Sequence, residues 1–224
     1  MTYILTFLPK IRRVVFLLSV TWATSVSADM LTVQVLGPNG EPVPEVAVFV
    51  KQPGLVASFE GEPPTAVMDQ VDMRFVPHVL VVRKGTLVEF PNSDVVAHHV
   101  YSFSRPNNFA LPLYKGKPPG PVKLDDEGVV TLGCNIHDQM LGYIVVVDSD
   151  AFGVTDEDGI VKLHVGDTEE ELDVRIWSAR IKDADEHLVK RVSVQADEAV
   201  VFAMTKKLRP RHDDQTETVK WADY

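Results

Sequence analysis

The sequence predicts an all-β protein, and three observations carry that prediction. Fifteen Pro and thirteen Gly are spread through the 224 residues, so turns are frequent. No window keeps a helical apolar period for three turns. Many windows alternate apolar and polar residues, or stay apolar for a short run, as strands do. Apolar residues make up 45%, enough for a sizeable core, and the length admits one or two domains.

Residues 1–28 stand apart. Lys10, Arg12 and Arg13 precede an apolar run over 14–23, and Val26-Ser27-Ala28 offers small residues for cleavage before Asp29. This pattern predicts a cleaved secretory signal. The apolar run is too short to span a bilayer comfortably, so no retained membrane anchor is expected. No cysteine stands near the cleavage point, which excludes a lipoprotein. The segment holds three bases and no acid, so its removal takes the net charge from −10 to −13. Such a surface repels nucleic acid and favours basic partners.

Residues 31–36 alternate, and Gly37-Pro38-Asn39-Gly40 turns the chain into a second strand over 43–50. The Pro- and Gly-rich stretch 51–66 reads as a linker or loop. Short strands follow over 73–75 and 79–82. Lys84-Gly85 turns into a strand over 86–90, and Pro91-Asn92-Ser93-Asp94 turns again before a strand over 98–103. Residues 104–121 read as a long loop. Strands over 122–124 and 129–132 flank the turn 125–128, and 141–147 is a strongly β-forming run. Beyond Asp148 the pattern restarts. Strands over 152–155 and 160–165 flank the turn Asp156-Glu157-Asp158-Gly159 and predict a hairpin; 172–176, 188–194 and 199–203 complete the set. Residues 206–224 are charged, lack a period and read as a flexible tail.

The chain has one cysteine, so no internal disulfide is possible. A lone thiol in an oxidising compartment is a liability unless it is buried and inert or occupied by a metal. Its surroundings favour the metal. In GCNIHDQM, residues 133–140, Cys134 is followed by His137 and Met140 at successive spacings of three. Thiolate, imidazole and thioether are soft donors, which excludes calcium and magnesium. A structural zinc site usually brings more than one cysteine. One Cys, two His and a weak axial Met make the ligand set of a blue copper site. The second histidine has to come from elsewhere. PNSDVVAHHVYSF offers His98 and His99 at the head of a strand. His78, His164, His187 and His212 read as surface or packing residues. Two thioethers in MDQVDM, Met68 and Met73, read as packing or loop residues before any copper(I) role.

With these residues the chain resembles the cupredoxins, over about residues 66–148. The marks are VLVVRKGTLVEFPNSD, HHVYSF, GCNIHDQM and GYIVVVD. The short Cys-x-x-His-x-x-Met loop is similar to the amicyanin type. The resemblance implies one copper ion cycling between Cu(I) and Cu(II), bound by His98, Cys134, His137 and Met140. The family pattern Pro-Asn-x-Asp-x-x-x-His-Asn puts His98 in the ligand place and His99 where Asn is usual, so His99 stays open as an alternative ligand. Asn92 and Asn135 are implied as supports of the ligand loops. The family also implies an electron port at His137, with Leu141 beside it. Ile136 stands where proline is frequent and keeps a backbone N–H that can tune the Cys134 sulfur.

The flanks resemble a carboxypeptidase-regulatory-like, Ig/transthyretin-like β-sandwich, through LTVQVLGPNGEPVPEVAVFV and FGVTDEDGIVKLHV. Together the parts are similar to bacterial plastocyanin-like chains labelled methylamine utilisation proteins. The implied architecture is a cupredoxin Greek-key β-sandwich inserted into that second sandwich. Residues 1–28 are the signal, 29–65 the first strands and linker, 66–148 the copper domain, 149–205 the remainder of the outer sandwich, and 206–224 the tail. The expected function is periplasmic single-electron transfer, to a redox protein such as a c-type cytochrome or a copper enzyme, basic in charge. The alternative is copper storage, delivery or sensing. Four ligands leave no open position for a substrate, so no enzyme is expected.

Overall fold

The computed structural model describes residues 30–51, 61–166, 171–181, 188–193 and 199–212. The expected signal, His187 and residues 213–224 of the expected tail lie outside them. Every named element among the described residues is a strand. No helix among them is long and apolar enough to cross a membrane.

β1 (Met30–Leu36) turns Leu31, Val33 and Val35 inward at alternate positions, as a half-buried strand does. It pairs antiparallel with β14 (Ile160–His164) and parallel with β17 (Val200–Ala203). β2 (Ala47–Lys51) belongs to another sheet, in the order β13 (Phe152–Val154), β2, β15 (Glu171–Trp177), β16 (Leu188–Ser193). The two sheets share an aliphatic core that includes Val33, Val48, Leu163, Val174 and Ile176. Strands from both ends of the described chain thus complete the same two sheets.

The middle of the chain builds a second pair of sheets. One has the order β10 (Val122–Leu124), β7 (Thr86–Glu89), β3 (Thr65–Val67). The other runs β6 (Val79–Arg83), β12 (Leu141–Val147), β11 (Gly128–Gly133), β8 (His98–Ser102), β9 (Phe109–Tyr114). Their core includes Met68, Phe75, Phe90, Val100, Leu132 and Ile144 together with Cys134 and Met140. A short hairpin of β4 (Asp69–Val71) and β5 (Arg74–Val76) lies beside them. Its two turn residues, Asp72 and Met73, both have positive φ, 49° and 57°, as the tight type I′ hairpin turn requires.

A third apolar cluster joins the two pairs of sheets. Ala47, Phe49 and Trp177 from one side meet Val79, Val81, Val145 and Val147 from the other. This contact explains the unbroken apolar run of β12. Ile144 and Val146 face the middle core, Val145 and Val147 face the joining cluster, and a strand buried on both faces has no polar positions to alternate.

Three expectations change. The long loop over 104–121 contains β9, an edge strand paired to β8. Pro112 obscures its pattern, and an edge is where a sheet accepts proline. The short strand expected over 73–75 forms one residue further on, as β5 (Arg74–Val76), and is the return arm of the β4–β5 hairpin. The turn at Asp156–Gly159 forms, with Gly159 N–H bonded to Asp156 O at 2.9 Å. Its flanking strands do not pair as a hairpin. β13 pairs with β2 and β14 with β1, so the turn crosses between two sheets. Gly153 allows this close approach, because a Cβ there would meet Val161 at 2.8 Å.

Candidate metal centre

The loop over residues 134–140 joins β11 to β12, whose facing ends Gly133 and Leu141 are paired. It folds through two successive turns and closes with Met140 N–H donating to His137 O at 2.9 Å. Cys134 and Met140 point into the middle core, 3% and 1% exposed. His137 is half-buried, and Asn135 and Ile136 are exposed at the first turn. Gly133 also pairs with Tyr101 of β8. A Cβ on Gly133 would meet the Tyr101 ring at 2.7 Å, so glycine is what lets that ring lie against the strand beside Cys134.

The pairing of β8 with β11 brings the first residue of β8 to the loop. His98 is fully buried, and its Nδ1 lies 3.0 Å from His137 Nδ1 and 3.8 Å from Cys134 Sγ. His137 Nδ1 lies 3.9 Å from the same sulfur. A point equidistant from the three atoms is about 2.1 Å from each, the length of first-row metal bonds to imidazole and near that to thiolate. His98, Cys134 and His137 are therefore spaced to hold one metal ion, and they form the metal-capable cluster found among the described residues. Met140 belongs to the same buried core as Cys134 and supplies a thioether to that region. Soft and borderline donors of this kind fit copper.

His99 does not join the three. It is half-buried on the next position of β8, whose alternation turns it away from His98, and its buried Nδ1 makes no hydrogen bond among the described residues. The other expected residues lie as follows. Leu141 is half-buried at the start of β12, and its carbonyl accepts a hydrogen bond from His78 Nδ1 at 3.1 Å. Met68 is fully buried in the core, whereas Met73 is exposed with its sulfur 4.0 Å from Gln139 Nε2.

Asn92 is buried and organises the turn that leads into His98. Its Nδ2 donates to Val96 O at 2.9 Å and to Tyr114 O at 3.0 Å, and its Oδ1 accepts from Asp94 N–H at 3.0 Å. Tyr114 is fixed in turn. Its hydroxyl donates to Phe90 O and accepts from Gln70 Nε2 at 2.6 Å. Burial pushes its pKa up to about 12, so it stays a donor.

Asp94 is a site residue that the sequence reading did not single out. Its Oδ2 accepts from Met73 N–H at 2.7 Å and lies 3.0 Å from His98 Nε2. The Met73 amide, and next the His98 imidazole, hold the Asp94 carboxyl below its ordinary range. An ionised carboxylate only accepts, so His98 Nε2 carries the proton. In the neutral ring Nδ1 then presents a lone pair to His137 and Cys134, as carboxylate-bonded metal-ligating histidines do. The signal was present in PNSD, but its meaning depended on the β4–β5 turn delivering the Met73 amide.

No protein-family model matches the chain, and no curated protein matches it. Among solved structures it is similar to a purple cupredoxin from Nitrosopumilus maritimus, at 20% identity, over 38% of this chain and 99% of that one, with a TM-score of 0.33. It is similar to a reduced amicyanin variant at 22% identity, over 45% of this chain and 98% of that one, with a TM-score of 0.35. It is also similar to a copper-containing nitrite reductase (NirK) from Thermus scotoductus SA-01 at 28% identity, with a TM-score of 0.35. That match covers 40% of this chain and 23% of the reductase. These neighbours are partial likenesses at low TM-score.

Proposed function

We propose that this chain is a periplasmic type 1 (blue) copper protein of the cupredoxin kind, carrying single electrons between redox partners. One observation carries the proposal: His98 Nδ1, His137 Nδ1 and Cys134 Sγ converge at 3.0, 3.8 and 3.9 Å, with Met140 buried in the same core. One copper ion held by these residues supplies a Cu(I)/Cu(II) couple.

The residues supply a rigid, dry setting. The donors sit on paired strands and on a loop closed by its own hydrogen bond, so their spacing does not rely on the ion. Burial of His98 and Cys134 keeps water from the sulfur. His137 is the donor that reaches towards solvent and serves as the electron port. Exposed apolar side chains stand on the segments that carry or brace the donors, namely Ile136, Val95, Val96 and Met73. They suit a partner that docks without displacing tightly held water. The net charge of −10, or −13 after signal removal, favours a basic partner such as a c-type cytochrome or a copper enzyme. Residues 66–148 form the copper-binding domain, inserted between the parts 29–65 and 149–205 of the outer sandwich. Residues 1–28 direct export.

Exposed Met73 beside Gln139 of the metal loop favours a second reading, copper storage or delivery. Met68, its expected companion, is sealed in the core. Fast copper release to a chelator would support delivery; slow release supports electron transfer.

Purified protein titrated with copper(II) is expected to bind one ion per chain and develop an intense visible band. Cys134→Ala is expected to abolish the band. Undiminished copper binding in that variant, with no band in either protein, would sink the proposal. Electron transfer to a basic cytochrome is expected to slow as salt shortens the Debye length from ~30 Å at 0.01 M to ~10 Å at 0.1 M. A flat salt response in stopped-flow rates would remove the steering by charge.

A further inference from the structure

A cavity of about 230 Å³ lies where residues 209–212 cross the seam between the two pairs of sheets. Its floor comes from Val79, Leu141 and Tyr143, and its wall from the segment 178–180 that follows β15. In a chain with 32 acids and 22 Lys and Arg, this recess is basic. Arg180, Arg209, Arg211, His78 and His212 line it, and Glu45 is the one acid among its described lining residues.

Part of that charge has a structural task. Arg211 binds both carboxylate oxygens of Glu157, at 2.9 and 3.1 Å, and lies 4.0 Å from Glu45. Arg209 N–H donates to Arg180 O at 2.9 Å, and Arg180 Nε returns a bond to Arg209 O at 2.8 Å. His212 stacks on His78, with ring centroids 4.7 Å apart. These contacts hold residues 209–212 over the cavity and account for Arg211 and Glu45.

They do not account for the charge of Arg180. Its Nε bonds to a neutral carbonyl, and none of the ion pairs among the described residues includes it. The side chain is half-buried, so water screens the charge incompletely. Arg209 adds a second guanidinium whose charge reaches into the cavity. Burial pushes the pKa of the Tyr143 phenol up, and the Arg209 charge opposes that rise. Planar guanidinium groups with directed N–H donors match the oxygens of phosphate and carboxylate. The space is small beside ordinary ligand pockets and suits a compact ion.

We propose that this cavity is a binding site for a small polyvalent oxyanion, of the phosphate or polycarboxylate class, held chiefly by Arg180 and Arg209. The site is separate from the metal donors and does not depend on copper. An anion there neutralises the charge of Arg180, and it ties the segment over the seam to both pairs of sheets.

The test uses the full chain freed of metal, at constant ionic strength with chloride as the balancing ion. Calorimetric titration with sodium phosphate, and separately with sodium citrate, is expected to show one saturable site per chain for at least one of them. Saturation by phosphate alone assigns a tetrahedral oxyanion, and by citrate alone a polycarboxylate. Arg180→Gln and Arg209→Gln are each expected to weaken binding about tenfold or more, in line with the loss of a charge-assisted contact. In the unaltered protein, the bound anion is expected to protect both arginines from phenylglyoxal, read by peptide mass spectrometry. Absence of saturable heat with either anion would overturn the proposal. So would undiminished binding in a folded double variant, or equal modification of both arginines with and without anion. Protection in the unaltered chain decides the matter if the variants do not fold.

Discussion

The core around Cys134 and the core between β1 and β2 are both built from alternating strands, yet they bury different chemistry. Among the described residues the outer core is aliphatic but for Phe202 and Met204, and the polar side chains buried on its side are hydroxyls that close turns. Thr155 Oγ donates to Val43 O at 2.8 Å and accepts from Val46 N–H at 3.0 Å. Ser149 bonds to Ala151, two residues away. The middle core buries Gln70, Asn92 and His98, with amide and imidazole groups that are costly to dehydrate unless bonded. Asn92 meets that cost with both ends of its amide and Gln70 with its Nε2 alone, its Oε1 making no hydrogen bond among the described residues, and both fasten the segments that lead to the donors. The difference locates the work of the molecule: Gln70, Asn92 and His98 are buried where loops have to hold donor atoms in place, whereas the remaining buried amide side chain among the described residues, Asn107, fastens the turn at Asp126.

Substituting the donors tests this contrast most severely. His98→Ala is expected to remove the visible copper band, and His99→Ala to shift it only. Spectra of the two variants titrated with copper(II) decide between them; the opposite outcome would move the ligand to His99 and break the account of β8.

Next in size is the seam. Trp177 is fully buried between the two pairs of sheets and contacts Tyr143, with ring centroids 5.2 Å apart. Trp177→Ala is expected to cost ~3–5 kcal/mol of stability. The copper band at room temperature should persist, since none of the donors touches the seam. Denaturant melts followed by fluorescence and by the copper band measure both effects. Loss of the band in the folded variant would show that the two cores are not separable.

A smaller effect belongs to Asp94. Asp94→Asn keeps the size of the side chain but removes the anion that orients His98, and is expected to weaken copper binding ~10–100-fold. Competition with a chelator measures it. Unchanged affinity would mean that the fold alone orients the ring.

The smallest effect is expected at the surface. Lys51, at the end of β2, reaches Glu127 before β11 at 3.1 Å, with both side chains well exposed. Lys51→Ala is expected to change stability by ~1 kcal/mol or less, because water screens the pair. A larger loss in the same denaturant melts would make this pair, rather than apolar burial, a main tie between the two regions.

The reading of residues 133–140 shows what was legible in advance. Donor identity and spacing are properties of one short segment, so a Cys, a His and a Met on a loop between strands are visible without coordinates. The same holds for the alternation over 31–36 and the apolar run over 141–147. β9 was not legible, because Pro106, Asn107 and Asn108 just before it and Pro112 within it resemble loop chemistry, and only pairing with the neighbouring β8 makes Phe109–Tyr114 an edge strand. Asp94 was not legible as a support of His98, because its other partner is the amide of Met73, brought by a separate hairpin.

By itself, then, the sequence determined the strand-rich character of this protein, its turns and its store of soft ligands. Each follows from interactions within a few residues, where side-chain period, Gly and Pro act directly. Tertiary structure decided which strands pair. It separated β13 from β14, set Thr155 against Val46 across 109 residues of chain, and turned His98 rather than His99 towards Cys134. It also placed Arg180 and Arg209, far apart in sequence, around one cavity. A residue's pattern reports that it is buried; what it is buried against depends on packing between segments that the pattern does not relate.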